Sequence, residues 1–276
     1  MSKRQGADGD DVLRQFRLDG RVAFLSGATG HLGRLMSEAL AAAGAHVVLN
    51  ARGADELDAL CAELKDRGLR ASTACFDVTD EAAVLKNIAV IGEEFGRLDI
   101  VVNNAGQSGP GNMQNTTVED FEQLYRVNVT AAFGIVRASV PLLRASAKST
   151  AGSSVVNIAS MYGSVSPDPS VYAASGANSP PSYGAAKAAL IQLTRYTACH
   201  LAPDGIRVNS ISPGPFPAAR YLQNDPGFQE RLASKVPMRR TGDRRELQGP
   251  LLFLASDASS YVTGVDLAVD GGWTAW

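Results

Sequence analysis

The chain has 276 residues, a hydrophobic fraction of 45% and a formal net charge of −2. That length suits one large α/β domain or two small ones, with a core that needs no disulfide or metal to hold it. The mixed charge argues against a nucleic-acid or membrane-surface footprint, three scattered cysteines (Cys61, Cys75, Cys199) argue against a disulfide framework or a zinc site, and no apolar run reaches the roughly 20 residues of a membrane span.

In chain order, Met1–Asp11 is polar and lacks the apolar stretch of a secretory signal. With the unpaired cysteines, this makes a cytoplasmic location the expectation. Residues 1–17 read as a flexible tail and 18–276 as the folded unit. Arg21–Ser26 is the first predicted strand. Leu32, Leu35, Met36, Ala39, Leu40 and Ala43 then recur with helical spacing, and Gly44 stops that helix. His46–Asn50 is the second strand, Ala54–Arg67 the second helix and Ala71–Val78 the third strand. A helix with Val84, Leu85, Ile88, Ile91 and Phe95 inward leads to a fourth strand, Leu98–Asn103. A long helix is expected over Val118–Ser146. Strands at Ser154–Ser160, Gly205–Ile211 and Gly264–Val269 alternate with helices at Ser182–Leu201 and Arg244–Ala255. Strand and helix alternate throughout, so the predicted fold is α/β: a single Rossmann-type, doubly wound domain with a seven-stranded parallel sheet flanked by helices. Ligands of such sheets bind beyond the carboxyl ends of the strands. Those ends are Ser26, Asn50, Asp77, Asn103, Ser160 and Ile211.

The segment Ser26–Gly33, Ser-Gly-Ala-Thr-Gly-His-Leu-Gly, joins the first strand to the first helix. Glycines in that place let a phosphate approach free N–H groups at a helix start. After the second strand no acid occurs between His46 and Gly53, where one would bind a ribose 2′-hydroxyl. Arg52 instead offers a fork that matches a 2′-phosphate. Both features favour NADP(H) over NAD(H). Tyr183 and Lys187 lie four apart on one face of a predicted helix. A nearby cation lowers the pKa of a phenol, so the pair forms a tunable acid/base. Ser160 closes a strand, where a hydroxyl can donate to an oxygen on which charge builds. Asn128 sits mid-helix, where asparagine has poor propensity.

These motifs in this order resemble the short-chain dehydrogenase/reductase family from about Leu18 to the C-terminus. The glycine loop is similar to its T-G-x-x-x-G-x-G fingerprint, with Ser26 in place of threonine and His31 in place of the middle glycine. The resemblance implies cofactor contacts from Gly27, Thr29, His31 and Leu32. It implies an adenine contact from Asp77 with Val78 beside it, and ribose contact along Asn104, Ala105 and Gly106, within the match to the family's N-N-A-G. Contacts near the nicotinamide are implied for Pro213, Gly214 and Phe216. Tyr183 and Lys187 would bind cofactor as well as act in catalysis. By the same resemblance Asn128, Ser160, Tyr183 and Lys187 form the catalytic set, with Asn128 holding a relay water. The implied reaction moves a hydride between nicotinamide and a ketone or secondary alcohol, with no metal. A homotetramer packed through Val118–Ser146 and Ser182–Leu201 is the implied assembly.

Tyr183 follows Ser160 by 23 positions, farther than is common in the family. Tyr172 lies nearer the usual place, but Gly176 stands four residues on, so Tyr172 is not the expected base. The intervening stretch Val165–Ser182, rich in Pro, Ser, Gly and Ala, reads as an inserted loop over the site. Pro217 and Ala218 stand where the family usually has a threonine, and Ala218–Val236 reads as a mobile substrate segment. The insert and the Pro213–Pro217 stretch look most like gluconate dehydrogenase-like members acting on sugar acids or polyols. The alternative is a 3-oxoacyl thioester reductase, for which a basic rim would be expected and none is evident. A cofactor-sensing or scaffold protein is the non-enzyme alternative, disfavoured because both Tyr183 and Lys187 are present. The expected partner is a small carbonyl or alcohol substrate.

Overall fold

A computed structural model describes residues 12–109, 111–173, 178–218, 225 and 227–276. Seven parallel strands form one sheet: β1 (Val22–Ser26), β2 (His46–Ala51), β3 (Ala71–Cys75), β4 (Ile100–Asn103), β5 (Ser153–Ile158), β6 (Ile206–Pro213) and β7 (Asp266–Val269). Their order is β3-β2-β1-β4-β5-β6-β7. The chain runs outward to β3 and then returns to pair β4 with β1 on the other side. A crevice therefore opens beyond the ends of β1 and β4, which is where such sheets take ligands.

The helices are α1 (Gly33–Ala42), α2 (Ala54–Asp66), α3 (Glu81–Phe95), α4 (Val118–Tyr125), α5 (Ala131–Ser149), a single turn α6 (Pro169–Tyr172), α7 (Pro181–Leu201), α8 (Phe228–Lys235) and α9 (Gln248–Ala255). They bury two separate cores because successive strand residues face opposite ways. Ala23 and Leu25 of β1 face Met36, Leu40, Leu57 and Leu254. Val22 and Phe24 face Val84, Ile88, Ile91 and Ile135. The doubly wound single domain is as expected.

Several boundaries differ from the sequence expectation. Strand β3 ends at Cys75 rather than Val78, because the Asp77 carboxylate accepts the Thr79 N–H and hydroxyl, both at 2.8 Å, and turns the chain. The expected helix over Val118–Ser146 is two helices joined by a π-helical turn at Arg126–Thr130. Arg244–Leu247 is a 3-10 turn, capped by Asp243, that precedes α9. Of the expected tail, Val12–Phe16 forms a 3-10 turn, and residues 1–11 lie outside the described residues. Among the described residues no helix is long and apolar enough to cross a membrane.

Candidate active site

The glycine loop and the end of β4 are fastened by one hydroxyl. Ser26 Oγ accepts the N–H groups of Asn104 and Ala105, each at 3.1 Å. Asn104 Nδ2 returns bonds to the carbonyls of Ser26 and Gly27 at 3.1 and 2.9 Å. The serine hydroxyl thus ties the end of β1 to the turn after β4. Gly27 has φ of 67°, and a Cβ there would stand 2.9 Å from Ala105 Cα. A Cβ on Gly33 would strike the Gly27 carbonyl. These contacts hold Gly27, Gly33, Asn104 and Ala105 together at the ends of β1 and β4, with Thr29 and Leu32 in the same loop and Gly106 next along the chain. Leu32 precedes α1 with no side-chain cap, so the helix start keeps N–H groups for an anion. His31 points its Nε2 at the Phe216 carbonyl, 3.2 Å away, and so ties the loop to the segment leaving β6.

At the adenine end of the expected cofactor path, Arg52 and Asp77 come together with 3.9 Å between Nη1 and Oδ2. Their side chains are 68% and 44% exposed, so the guanidinium fork faces solvent. The bond from the Thr79 N–H leads the causes that hold Asp77 below its ordinary pKa. Val78 is buried in the core beside it. At the other end, Gly214 packs against Asp270, where any Cβ would come within 2.5 Å of its Cα. Pro213 closes β6, and the Phe216 ring lies on Gly242.

Asn128 lies in the π-helical turn, a form that often marks functional sites. Its Nδ2 donates to the carbonyls of Leu124 and Gln107, both at 2.9 Å. Its Oδ1 is buried and has no partner. Leaving a buried acceptor unpaired costs free energy, so this atom fits a water or polar group supplied from the crevice. Gly106 is wedged beside it: a Cβ would stand 2.7 Å from Asn128 Oδ1 and 3.4 Å from Lys187 Nζ. Lys187 is 4% exposed and donates to the Ile158 carbonyl at 2.8 Å. Desolvation lowers its pKa to about 8. Its Nζ is 5.6 Å from the centre of the Tyr183 ring, one helical turn back on α7.

Ser160 follows β5. Its Oγ accepts the Tyr162 N–H at 3.2 Å, which leaves the hydroxyl proton to donate. The 3-10 turn Met161–Gly163 then lies on α7: a Cβ on Gly163 would meet Lys187 C at 2.9 Å, and one on Gly184 would meet the Tyr162 carbonyl at 2.9 Å. The turn after Ser160 thus meets α7 on the stretch that carries Tyr183 and Lys187. The structure brings Asn128, Ser160, Tyr183 and Lys187 to one end of the sheet.

The described part of the insert before residue 174 forms a short helical turn, α6, where a loop was expected. Asp168 caps α6 by accepting the Ser170 N–H, and residues 174–177 lie outside the described residues. Arg231 of α8 donates to the Val171 carbonyl at 2.7 Å, Lys235 pairs with Asp168 at 2.7 Å, and Tyr172 rests on Phe228 with 5.9 Å between ring centres. In the expected mobile segment, α8 is therefore a helix joined to the insert, while residues 219–224 and 226 lie outside the described residues. Sequence reasoning did not single out Tyr162, whose hydroxyl lies 3.2 Å from that of Tyr172. Its place two residues after Ser160 was the available signal.

A doubly wound sheet with a glycine loop at its crevice and a buried lysine one turn from a tyrosine defines a nucleotide-binding α/β protein equipped for proton transfer. The family model described as Enoyl-(Acyl carrier protein) reductase matches residues 27–274. The chain belongs to the short-chain dehydrogenase/reductase family, oxidoreductases that act on alcohol and ketone groups. A rhamnolipids biosynthesis 3-oxoacyl-[acyl-carrier-protein] reductase of Pseudomonas aeruginosa is 35% identical, covering 94% of this chain and 98% of that protein. A gluconate 5-dehydrogenase of Gluconobacter oxydans is 34% identical, covering 94% and 96%. The solved structure of a gluconate 5-dehydrogenase from Burkholderia cenocepacia in complex with NADP and tartrate has a TM-score of 0.87 at 32% identity, covering 96% of this chain and 99% of that one.

Proposed function

We propose that this oxidoreductase uses NADP(H) to interconvert a keto sugar acid or polyol-like ketone with the corresponding secondary alcohol. The observation that carries the chemistry is Lys187, buried beside Tyr183 and hydrogen-bonded to the Ile158 carbonyl. Gly27, Thr29, His31, Leu32 and Asn104–Gly106 would hold the pyrophosphate and ribose. Arg52 would meet the 2′-phosphate, Asp77 and Val78 the adenine, and Pro213, Gly214 and Phe216 the nicotinamide end. When bound, the nicotinamide supplies or takes up a hydride.

In reduction, Tyr183 gives its phenolic proton to the substrate oxygen. Ser160 donates a hydrogen bond to the same oxygen and stabilises the charge that builds there. Lys187 favours the phenolate left on Tyr183 and bonds the ribose hydroxyls. Asn128 Oδ1 accepts from a water that resupplies the proton past Lys187. Oxidation reverses each transfer. The exposed Val118, Phe121, Tyr125, Phe133 and Tyr196 on α4, α5 and α7 support a homotetramer packed through those helices.

The likeness to gluconate 5-dehydrogenases supports the sugar-acid reading. A second reading, reduction of a 3-oxoacyl thioester, is favoured by the likeness to the Pseudomonas aeruginosa reductase. Of the exposed Arg239, Arg240, Arg244 and Arg245, Arg240 is paired with Glu246 and Asp243 stands among them, so this edge does not supply the basic rim that such a reading would favour. The test is NADPH oxidation, followed by absorbance, against keto sugar acids, simple ketones and acetoacetyl-CoA. The proposal expects the highest kcat/KM on a keto sugar acid. Preference for the thioester would establish the second reading, and turnover of none would overturn both.

A further inference from the structure

Three buried polar side chains join the sheet to α7. Asn103, at the end of β4, donates from Nδ2 to Asn157 Oδ1 at 2.8 Å, and the two residues are partners in the β4–β5 register. Asn157 Nδ2 donates to Thr194 Oγ1 at 2.8 Å, and Thr194 donates to the Leu190 carbonyl at 2.8 Å. That carbonyl fixes the direction of the chain, because it can only accept and the threonine hydroxyl has one proton to give. Asn103 and Asn157 are 3% exposed, and Thr194 is fully buried. Val101 and Val155, two residues back on the same strands, belong to the apolar core of this face. Apolar side chains in place of the three would fill the space without desolvating two amides and a hydroxyl. A polar chain, unlike an apolar contact, holds only where donor and acceptor meet, so it specifies one placement of helix on sheet.

The helix so placed carries Tyr183 and Lys187. Thr194 lies two turns past Lys187 on the same face, about 10 Å along the axis. Lys187 Nζ donates to the carbonyl of Ile158, the residue after Asn157, at 2.8 Å. Adjacent residues of β5 therefore hold α7 at two points. The lysine stem is long and flexible, so its bond alone leaves the helix free to slide. Threonine is stiff at χ1, so the bond at Thr194 follows the helix backbone closely. Lys187 Nζ is held by the sheet while the Tyr183 ring rides on the helix. The seat of α7 on β5 thus sets the separation of ammonium and phenol, and with it their electrostatic coupling.

We propose that Asn157 and Thr194 are positioning residues for the acid/base pair: their hydrogen bond seats α7 on β5 and so holds the Tyr183 phenol at its working distance from Lys187. The proposal rests on the acid/base reading of Tyr183 and Lys187 above and deepens it. Breaking the bond lets the helix shift against the sheet-held ammonium, and the phenolate loses part of its support.

The test titrates the Tyr183 phenol in the full chain, without substrate. Phenolate absorbance is followed against pH, and the curve of the same protein carrying Tyr183→Phe is subtracted. A phenolate at Tyr183 keeps Lys187 charged, so the value read belongs to the pair. Thr194→Val keeps the shape of the side chain and removes its hydroxyl. It should raise this apparent pKa by about one unit. Asn157→Thr, too short to reach Thr194, should raise it likewise and gives the same readout should Thr194→Val not fold. Thr194→Ser keeps the hydroxyl and should stay within about 0.3 units of wild type. At neutral pH, kcat for D-gluconate oxidation by NADP+ should fall about tenfold in both bond-breaking variants, with KM within about twofold. Lower thermal stability with an unmoved Tyr183 titration would reduce the chain to a scaffold and overturn the proposal. An equal shift in Thr194→Ser would overturn it too. A wild type inert on D-gluconate would overturn the sugar-acid reading alone, since the titration needs no substrate.

Discussion

Lys187→Met should stabilise the protein while abolishing its activity. The lysine is 4% exposed, and burial alone lowers its pKa from 10.5 to about 8. That drop corresponds to about 3 kcal/mol of penalty on the charged form at neutral pH. Methionine fills similar space with no charge. It forfeits the bond to the Ile158 carbonyl, worth about 1 kcal/mol. The net gain is about 2 kcal/mol, or roughly 5 °C in Tm for a domain of this length. The sign with pH follows from linkage. Below about pH 8 the lysine is charged in both folded and unfolded chains, and the fold carries the whole penalty. Between about 8 and 10.5 the folded chain has released the proton and the unfolded chain has kept it, so wild-type stability rises with pH. The advantage of the variant should therefore be full at pH 7 and mostly gone by about pH 10. The assay is thermal unfolding by circular dichroism at fixed protein concentration, without cofactor, across that range. A variant less stable than wild type at pH 7, or a gap that ignores pH, would refute the reasoning.

Tyr183→Phe should cut turnover at least about a hundredfold, since proton transfer by a placed side chain contributes that much or more. NADPH binding by fluorescence should survive, and loss of turnover in Tyr172→Phe with Tyr183→Phe active would reverse the assignment. Arg52→Asp should weaken NADPH by roughly ten- to a hundredfold, the worth of a charge-assisted phosphate contact, with NADH much less affected. Parallel shifts in the two dissociation constants would show that Arg52 does not read the 2′-phosphate.

The strands were legible because burial on both sheet faces demands continuous apolar runs such as Val22–Leu25 and Val155–Val156, whereas their order in the sheet was not read from the sequence. Tyr183, Lys187 and Ser160 were legible because local spacing places them at a strand end or on one helix face. The break in the long helix was not. It depends on the Asn128 side chain reaching the Leu124 carbonyl within a wider π turn, which no periodicity reports. The order of the insert was hidden for a different reason. Its prolines and serines read as loop, but Asp168 and Val171 are held by Lys235 and Arg231, some 60 positions along the chain. The Tyr162–Tyr172 contact depends on that same folding of the insert.

The family's glycine pattern and its departure here have one steric explanation. Glycine is required at 27 and 33, where any Cβ would press on Ala105 or on the Gly27 carbonyl. A Cβ at 30 would stand 3.2 Å from the Gly27 carbonyl, which a small adjustment relieves. The loop thus needs its outer glycines for the approach of backbone to backbone, and its middle is open to other uses. His31 uses it to reach the Phe216 carbonyl, while the Arg244 guanidinium bonds the carbonyl of His31. Phe216 in turn lies on Gly242, and the chain before it leads back to α8 and the insert. The loop expected to hold the pyrophosphate is therefore connected by named contacts to the wall expected to hold substrate.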